Sequence, residues 1–457
     1  MTDLITYPVK QLAKLVRTRA VSPVELITAF LDQIERCNPQ LNAVVTLAPD
    51  AIDRAKEAER LVMSGDSLAP LHGIPVTIKD TIETAGLRTT SGSRVRENFV
   101  PPADAPAVAR LKAAGAIILA KTNAAEMAMD YTADNLVFGR TNNPFNVELT
   151  PGGSSGGEAV AIATCMSPAG LGSDLAGSIR IPAHFCGIAG LKPGTGRISG
   201  EGQFPASSGP YSLGAAIGPM AKYTEDLSLI FRALIQSSAS SPDVRGMRVA
   251  WYANDEVANV TAETRGAVEA AAGALKDAGL ICEERRPPHV ERGHELWLKL
   301  FSRASVVQLR KVYTGHEQSA GGFVRWRLKT ADEVSPPTLD DYIANWMERD
   351  LLREELRLWM ESTPLILAPV GATPAFEHDT LKIQVNEQTM SVFRAFSYSQ
   401  AFNVFDLPSA VIPAAMSETG SPIGVQVVGR PGEEEAVLAT AAIIERALGG
   451  WRRPRLF

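Results

Sequence analysis

The sequence lacks the features of secreted, membrane-embedded and nucleic-acid-binding proteins. Its 457 residues include four cysteines, widely scattered and without a CxxC pair, which is typical of free thiols in a reducing compartment. No run approaches 18 consecutive apolar residues, and the first residues do not resemble a signal peptide. Lys and Arg total 45 against 51 Asp and Glu, so no basic surface for a phosphate backbone is expected. These absences predict a cytoplasmic chain.

What is present is an alternation of helical and strand-like segments. Ser22 to Glu25 has the pattern of a capping box, which predicts a helix start, and Pro39 is expected beyond the end of that helix. Residues 74–78 and 116–120 are apolar runs typical of buried strands, with a helix between them that Asp104 is expected to cap. The alternation predicts an α/β fold, in which helices cover both faces of a sheet.

Residues 150–200 contain 12 glycines, far above ordinary usage. Two serines lie in this segment, Ser154 within TPGGSSGGE and Ser178 within GSDLAGSIRIP. Glycines before a serine allow consecutive N–H groups to converge on an oxyanion. A pair of structural turns is the alternative. A phosphate-binding loop is less well supported, because the segment has neither GxxxxGK[ST] nor GxGxxG.

Ser154 also matches GxSxG, the nucleophile elbow of another class of hydrolase. That motif needs an apolar strand directly before it, and the preceding residues end in Pro151. It also needs an acid and a histidine. The downstream histidines lie in polar stretches without a recognisable setting; they are His289, His294, His316 and His378. This alternative is the weaker one.

Lys79 ends the apolar run of HGIPVTIKD, an unusual place for a solvated charge. A free lysine has a pKa near 10.4, so only about 0.04% is neutral at pH 7. Burial lowers that pKa and makes lysine a workable base. The alternative is that Lys79 pairs with a carboxylate such as Asp80.

Together these segments resemble the amidase signature family over most of the chain. The matching stretches, in family order, are HGIPVTIKD, DAPAVARLKAAGAIILAKTN, FGRTNNPFN, TPGGSSGGEA, GSDLAGSIRIPAHFCGIAGLKPGTGRIS, LILAPVGATPA and SPIGVQVVGRP. The resemblance implies a central mixed β-sheet covered by helices on both faces. It also implies a single amidase-type domain over residues 1–457, with the signature core at 60–240 and a helical insertion or cap at about 290–360.

The resemblance also implies a Ser–cisSer–Lys triad. Lys79 carries over as the base, Ser154 as the bridging serine after a cis peptide bond, and Ser178 as the nucleophile. The implied oxyanion hole consists of the N–H groups of Leu175, Ala176, Gly177 and Ser178. Asp174, Arg180 and Ser155 are expected to brace it. The family usually has two glycines before the nucleophile, and this chain has Ala176-Gly177. Ala128 and Met129 align with a segment that lines the substrate cleft.

The expected function is hydrolysis of the C–N bond of an amide, anilide, carbamate (urethanase activity) or urea through a serine acyl-enzyme, without metal or cofactor. The expected partner is a small-molecule amide or carbamate substrate, with no nucleic acid, no membrane and a possible homodimer. The alternative is a glutaminase-type subunit of a tRNA-dependent amidotransferase. A non-catalytic binding protein is a third possibility, and the intact Lys79, Ser154 and Ser178 argue against it.

Overall fold

A large β-sheet forms the centre of the computed structural model, which describes residues 4–333, 335–455 and 457. The strands, with β10 and β11 forming a separate hairpin, are β1 (Val44–Leu47), β2 (Pro75–Lys79), β3 (Ile117–Thr122), β4 (Ala169–Asp174), β5 (Ala189–Lys192), β6 (Ala216–Ala221), β7 (Arg248–Trp251), β8 (Ile281–Glu284), β9 (Leu365–Pro369), β10 (Lys382–Val385), β11 (Gln388–Ser391), β12 (Ser409–Met416) and β13 (Pro422–Gly429). Across the described residues the sheet has eleven strands in the order β1-β3-β2-β4-β6-β5-β12-β13-β9-β7-β8.

The pairing is mixed. β2 runs parallel to β3 and β4, and β7 runs parallel to β8 and β9. The remaining neighbours are antiparallel, including β4 with β6 and β12 with β13. β2, β3, β4 and β6 are buried along their whole length, as expected for strands covered on both faces.

Helices flank this sheet. The α-helices are α1 (Val9–Arg17), α2 (Pro23–Leu41), α3 (Ala51–Ser64), α4 (Pro106–Ala113), α5 (Gly156–Ala163), α6 (Arg180–Cys186), α7 (Thr224–Ile235), α8 (Ala262–Asp277), α9 (Gly293–Trp297), α10 (Arg303–Tyr313), α11 (Gly322–Asp332), α12 (Leu339–Ser362), α13 (Val392–Ala395), α14 (Ser397–Val404) and α15 (Glu434–Leu448). Short 3₁₀ helices lie at Leu4–Thr6, Arg94–Arg96, Glu126–Ala128, Gly209–Leu213, Val290–Arg292 and Glu317–Ser319, and a π-helical turn at Leu298–Ser302 joins α9 to α10.

Two groups of helices pack on the sheet. α5 and α6 contact each other and the central strands, whereas α15 contacts α7, α8 and strands β12 and β13. The predicted mixed sheet flanked by helices is confirmed. Residues 290–360 are largely helical as predicted, and the single-domain organisation stays a prediction. Within the described part of the chain, no helix has the length and apolar character needed to cross a membrane.

The start of α2 is as predicted and its end is not. Ser22 Oγ accepts from the Glu25 N–H at 3.0 Å, and the Glu25 carboxylate accepts from the Ser22 N–H at 2.8 Å. The helix continues through Pro39 to Leu41, which corrects the prediction. A proline in the last turn removes only one backbone hydrogen bond. The Asn38 side chain supports the exit by binding the backbone of the next two residues after the cap.

Asp104 does not cap α4. The N-cap position belongs to Ala105, because Pro106 starts the helix and Asp104 lies one residue too early. The Asp104 carboxylate instead accepts from the Ala85 N–H at 2.8 Å and from Lys112 Nζ at 2.8 Å. Its role is to join α4 to the loop after β2.

Candidate active site

The parallel pairing of β2 and β4 brings two chemically important chain ends together. Ile78 lies opposite Leu171, so the carboxyl ends of both strands reach the same edge of the sheet. Lys79 ends β2 and Asp174 ends β4. The base predicted from one motif therefore lies beside the serine-containing loop predicted from another.

Lys79 is fully buried and bound to two serines. Its Nζ donates to Ser154 Oγ at 2.7 Å and to Ser173 Oγ at 3.0 Å. Burial lowers the pKa of Lys79 from 10.5 to about 7, against the opposing charges of Asp174 and Glu158. A substantial fraction of Lys79 is therefore neutral near pH 7 and able to accept a proton.

Asp80 is not the hydrogen-bonding partner of Lys79. Its carboxylate accepts from the N–H and the hydroxyl of Thr90. Burial raises the pKa of Asp80, and the nearby cation that opposes this shift is Lys121. The alternative in which Lys79 simply pairs with Asp80 is therefore wrong.

Ser154 lies in an irregular segment after a cis peptide bond from Gly153, as the resemblance implies. A Cβ on Gly153 would lie 1.9 Å from the carbonyl oxygen of Thr132, so only glycine fits there. No strand immediately precedes Ser154 among the described residues, and its hydroxyl is bound by Lys79 rather than by a histidine. The nucleophile-elbow alternative is therefore wrong.

Ser178 lies between β4 and α6 and is 6% exposed. The N–H of Ser155 donates to the Ser178 carbonyl oxygen at 3.2 Å, so the two serine segments run side by side. The Ser155 hydroxyl also bridges to the backbone of Ser173 at 3.3 Å. The three predicted triad residues thus belong to one buried cluster.

A buried ion pair holds the loop that carries Ser178. The Asp174 carboxylate accepts from the N–H groups of Gly177 (2.8 Å) and Ile179 (3.1 Å), and from the Arg180 guanidinium at 2.9 and 3.0 Å. Both charged side chains are inaccessible to solvent. Burial opposes ionisation, but Arg180 and the loop N–H groups hold the pKa of Asp174 well below its usual range. Asp174 therefore stays ionised and orients the loop, as expected for both residues.

Two residues that the sequence analysis missed anchor Arg180 from the far side. The guanidinium donates to Gln426 Oε1 of β13 at 3.0 Å and to Asn403 Oδ1 of α14 at 2.5 Å. Asn403 Nδ2 also donates to Asp174 Oδ1 at 3.0 Å. These contacts span more than 220 residues of sequence, and no local pattern could have indicated them.

The Asp174 contact corrects one part of the predicted oxyanion hole. The Gly177 N–H already donates to Asp174 and is not free to bind an oxyanion. Gly177 still has a required conformation: its φ is +107°, and a Cβ there would lie 2.8 Å from Ile181 and Ser399. Among the described residues, the N–H groups of Leu175, Ala176 and Ser178 have no acceptor.

Two aromatic side chains set the orientation of this loop. Trp297 Nε1 donates to the Leu175 carbonyl at 3.0 Å, and the Tyr131 hydroxyl donates to the Ala176 carbonyl at 2.7 Å. In a trans peptide the following N–H points opposite to the carbonyl. Trp297 therefore fixes the direction of the Ala176 N–H. The sequence analysis assigned Trp297 no role at the site.

Ser178 faces a narrow cavity of about 40 Å³ whose wall is mostly aromatic and aliphatic. The lining residues are Ala128, Met129, Asp130, Tyr131, Leu175, Ala176, Ser178, Tyr211, Trp297, Phe301, Ser302, Ser305, Arg327 and Phe393. Ala128 and Met129 lie in this wall, where the sequence analysis expected them to contact substrate. The Ala176 methyl also belongs to the wall, as its departure from the family pattern suggested.

Two charged groups lie in this apolar wall. Arg327 donates to the Ser302 carbonyl at 2.9 Å and to Ser305 Oγ at 3.2 Å, and no carboxylate pairs with it among the described residues. Burial lowers its pKa. Burial also raises the pKa of Asp130 to about 6, against hydrogen bonds from its own loop. Within the described chain neither group has an opposite charge to pair with, so both are available to a polar substrate.

The model of the Amidase family matches residues 25–438 of this chain. The chain belongs to the amidase signature family. Its full-length relatives include a glutamyl-tRNA(Gln) amidotransferase component from Geobacter metallireducens, which is 32% identical over 97% of this chain and 98% of the relative. The protein of the same name from Roseiflexus castenholzii is 34% identical over 98% of this chain and 96% of the relative. A solved structure of 6-aminohexanoate cyclic dimer hydrolase with substrate matches at a TM-score of 0.86 and 27% identity, covering 99% of both chains.

The relatives overturn the predicted partners of this family member. The sequence analysis expected only a small-molecule amide or carbamate, no nucleic acid and at most a homodimer. The relatives are named as one subunit of an amidotransferase for a charged tRNA, which means an assembly and a nucleic acid. Composition missed this because a net charge of −6 describes one chain, whereas an assembly can place its basic surface on a different chain.

Proposed function

We propose that this amidase-family enzyme hydrolyses the C–N bond of an amide through an acyl-enzyme on Ser178. The observation that carries the proposal is the 2.7 Å hydrogen bond between buried Lys79 Nζ and Ser154 Oγ, beside the loop of Ser178. A lysine with a pKa of about 7 is a suitable general base near neutral pH.

In the proposed reaction, neutral Lys79 accepts the proton of Ser154, which accepts that of Ser178. Ser178 Oγ then bonds to the carbonyl carbon, and the oxyanion is held by the free N–H groups of the loop. When the C–N bond breaks, the proton returns through Ser154 to the leaving nitrogen. Water adds to the resulting ester by the same relay, which releases the acid and restores Ser178.

The relatives favour glutamine as the amide, with this chain as the glutaminase component of a tRNA-dependent amidotransferase. Arg327 and Asp130 support this assignment, because a guanidinium and a carboxylate without opposite charges suit the α-carboxylate and α-ammonium of an amino acid. In such an assembly the chain alone is expected to have little activity.

The cavity wall supports a second candidate, in which the chain hydrolyses an apolar amide, anilide, carbamate or urea by itself. The Phe393 ring packs against both Tyr131 and Trp297 beside Ser178, with ring centroids 4.6 and 5.7 Å apart. Such a wall suits an apolar acyl group. One of the similar solved structures is named as a hydrolase of 6-aminohexanoate cyclic dimer, a substrate that is not an amidotransferase substrate by name.

The test measures ammonia release from glutamine by the purified chain, alone and with the other subunits of an amidotransferase and glutamyl-tRNA. The same preparation is assayed on apolar amides, anilides, carbamates and ureas. Glutaminase activity that appears only with the partners supports the first candidate, and turnover of an apolar amide by the chain alone supports the second. A fluorophosphonate should label wild-type Ser178, and Ser178→Ala should lose both the label and all turnover. Labelling of Ser154 would contradict the proposed mechanism.

A further inference from the structure

Helix α12 has two apolar faces, and only one of them is covered by the described chain. Its inner face is buried through Arg349, Leu356 and Met360. Its outer face has a stripe of large apolar side chains in solvent, which we name the α12 stripe: Leu339 (73% exposed), Ile343 (48%), Met347 (62%), Leu351 (65%) and Leu358 (56%). Spacings of four and seven residues place these side chains along one side of a helix. A surface of this kind marks an interaction site.

The charges around the stripe are mainly negative. Asp340, Asp350, Glu354 and Glu361 are exposed on the same side of the helix, and Arg357 is paired with Glu354 at 2.7 Å. Two copies related by a two-fold axis would bring these acidic rows together, and like charges facing each other oppose association. An anionic membrane surface is repelled for the same reason. A complementary partner therefore carries apolar residues and positive charge.

The inner face of α12 lies against the wall of the candidate active site. The Trp346 ring meets the Phe301 ring edge-on at 5.8 Å, and Phe301 lines the cavity in front of Ser178. Arg349 donates to the Val404 carbonyl of α14 at 2.6 Å and to the Leu213 carbonyl at 3.2 Å. A partner bound to the stripe would be about one helix diameter from the substrate cavity, roughly 10 Å. Occupation of the surface and the shape of the cavity are therefore physically connected.

We propose that the α12 stripe is the docking site for an amphipathic helix of a different protein, with apolar residues at helical spacing flanked by Lys and Arg. The inference goes beyond the proposed function, because it requires no particular substrate and does not depend on the role of Ser178. It commits to a heterologous partner rather than to a second copy of the chain.

A library of helical peptides with random residues displayed on phage tests the proposal on the full-length chain. Selection on the wild type is followed by depletion on Met347→Glu/Leu351→Glu, which places two carboxylates in the stripe without disturbing buried residues. Met63→Glu is the matched control, because Met63 is also a helical methionine with 62% exposure but lies in α3. The consensus peptide is then synthesised, and its Kd is measured by fluorescence anisotropy for all three proteins at low and high salt.

We expect enriched peptides to combine apolar residues at i, i+3, i+4 and i+7 with flanking Lys or Arg. The double substitution should weaken binding of the consensus peptide at least about tenfold, Met63→Glu should leave it unchanged, and added salt should weaken it. Failure to enrich any peptide over the double variant would overturn the proposal, as would enrichment of acidic flanks. Wild-type dimerisation that Met347→Glu/Leu351→Glu abolishes would assign the stripe to a second copy instead. These outcomes are independent of amide turnover, so they separate this inference from the proposed function.

Discussion

At the scale of single residues, the proposed chemistry depends on how many lysines are neutral. A free lysine at pH 7 is about 0.04% neutral, whereas a pKa of about 7 makes roughly half of the Lys79 amines neutral. Burial supplies that change, and the carboxylate of Glu158 opposes it. Glu158 is held in place by hydrogen bonds from the hydroxyls of Thr77 and Thr122.

The first prediction concerns pH. Protonated Lys79 cannot accept a proton, so labelling of Ser178 by a fluorophosphonate should be slow at about pH 5.5, rise through about pH 7 and level off above about pH 8. Removal of a nearby negative charge disfavours the lysine cation and lowers its pKa. Glu158→Gln should therefore move the rise to lower pH. Glu445→Gln changes a buried carboxylate bound to Thr224 and should not move it. An unchanged profile for Glu158→Gln would contradict the assignment of Lys79 as base.

The second prediction separates the two directions of proton transfer. Lys79→Ala should slow amide hydrolysis more than hydrolysis of a p-nitrophenyl ester with the same acyl group, because an aryl oxide leaves without protonation. General acid–base assistance is worth about 10²–10⁴-fold, so the difference should be measurable by steady-state kinetics, with circular dichroism to show that the variant is folded. Equal losses on both substrates would mean that the proton for the leaving nitrogen comes from another group.

Lys79, Ser154 and Ser178 could be found from sequence because each lies in a short motif with few alternatives. Trp297 and Arg327 could not. They lie in a charged helical stretch without a local pattern, and only tertiary packing brings them to the loop of Ser178. Gly177 shows the converse limit: its motif position was right, but the Asp174 carboxylate occupies the N–H that was assigned to the oxyanion.

At the scale of elements, the site is a loop between β4 and α6 that is fixed from both sides. Asp174 and Arg180 hold it from inside, and Trp297 of α9 holds it from the cavity. The strands around it were predictable, because short apolar runs in a two-sided sheet have little alternative. Element ends were less so: Pro39 lies inside α2 rather than after it, because a side-chain contact from Asn38 supports the last turn.

The third prediction tests the support from α9. Trp297→Phe keeps an aromatic ring against Phe393 but removes the hydrogen bond to the Leu175 carbonyl. We expect kcat to fall by up to about tenfold with little change in KM, since one neutral hydrogen bond is worth about 0.5–1.5 kcal/mol and orients a donor needed in the transition state. Trp359→Phe is the control, because Trp359 packs with Arg285 away from the cavity. A rise in KM with kcat unchanged would show that Trp297 only shapes the pocket.

At the scale of the whole molecule, the two halves of the chain share one sheet. β5 joins β6 to β12 from the C-terminal part, and β9 sits between β13 and β7. The helical stretch of residues 290–360 contains four of the six tryptophans and packs on the core through Leu356 and Met360. Sequence periodicity predicted the helices of this stretch but not its cooperation with the core, because that depends on contacts distant in sequence.

The fourth prediction is that this stretch unfolds together with the sheet. Leu356 is fully buried in α12, so Leu356→Ala should destabilise the protein by about 2–5 kcal/mol. If the stretch and the sheet unfold as one unit, urea midpoints from tryptophan fluorescence, far-ultraviolet circular dichroism and Ser178 labelling should all fall together. Leu358→Ala alters an exposed leucine of the same helix and should change stability by less than about 0.5 kcal/mol. A shift confined to the fluorescence midpoint would show that residues 290–360 form a separate unit, and the single-domain prediction would be wrong.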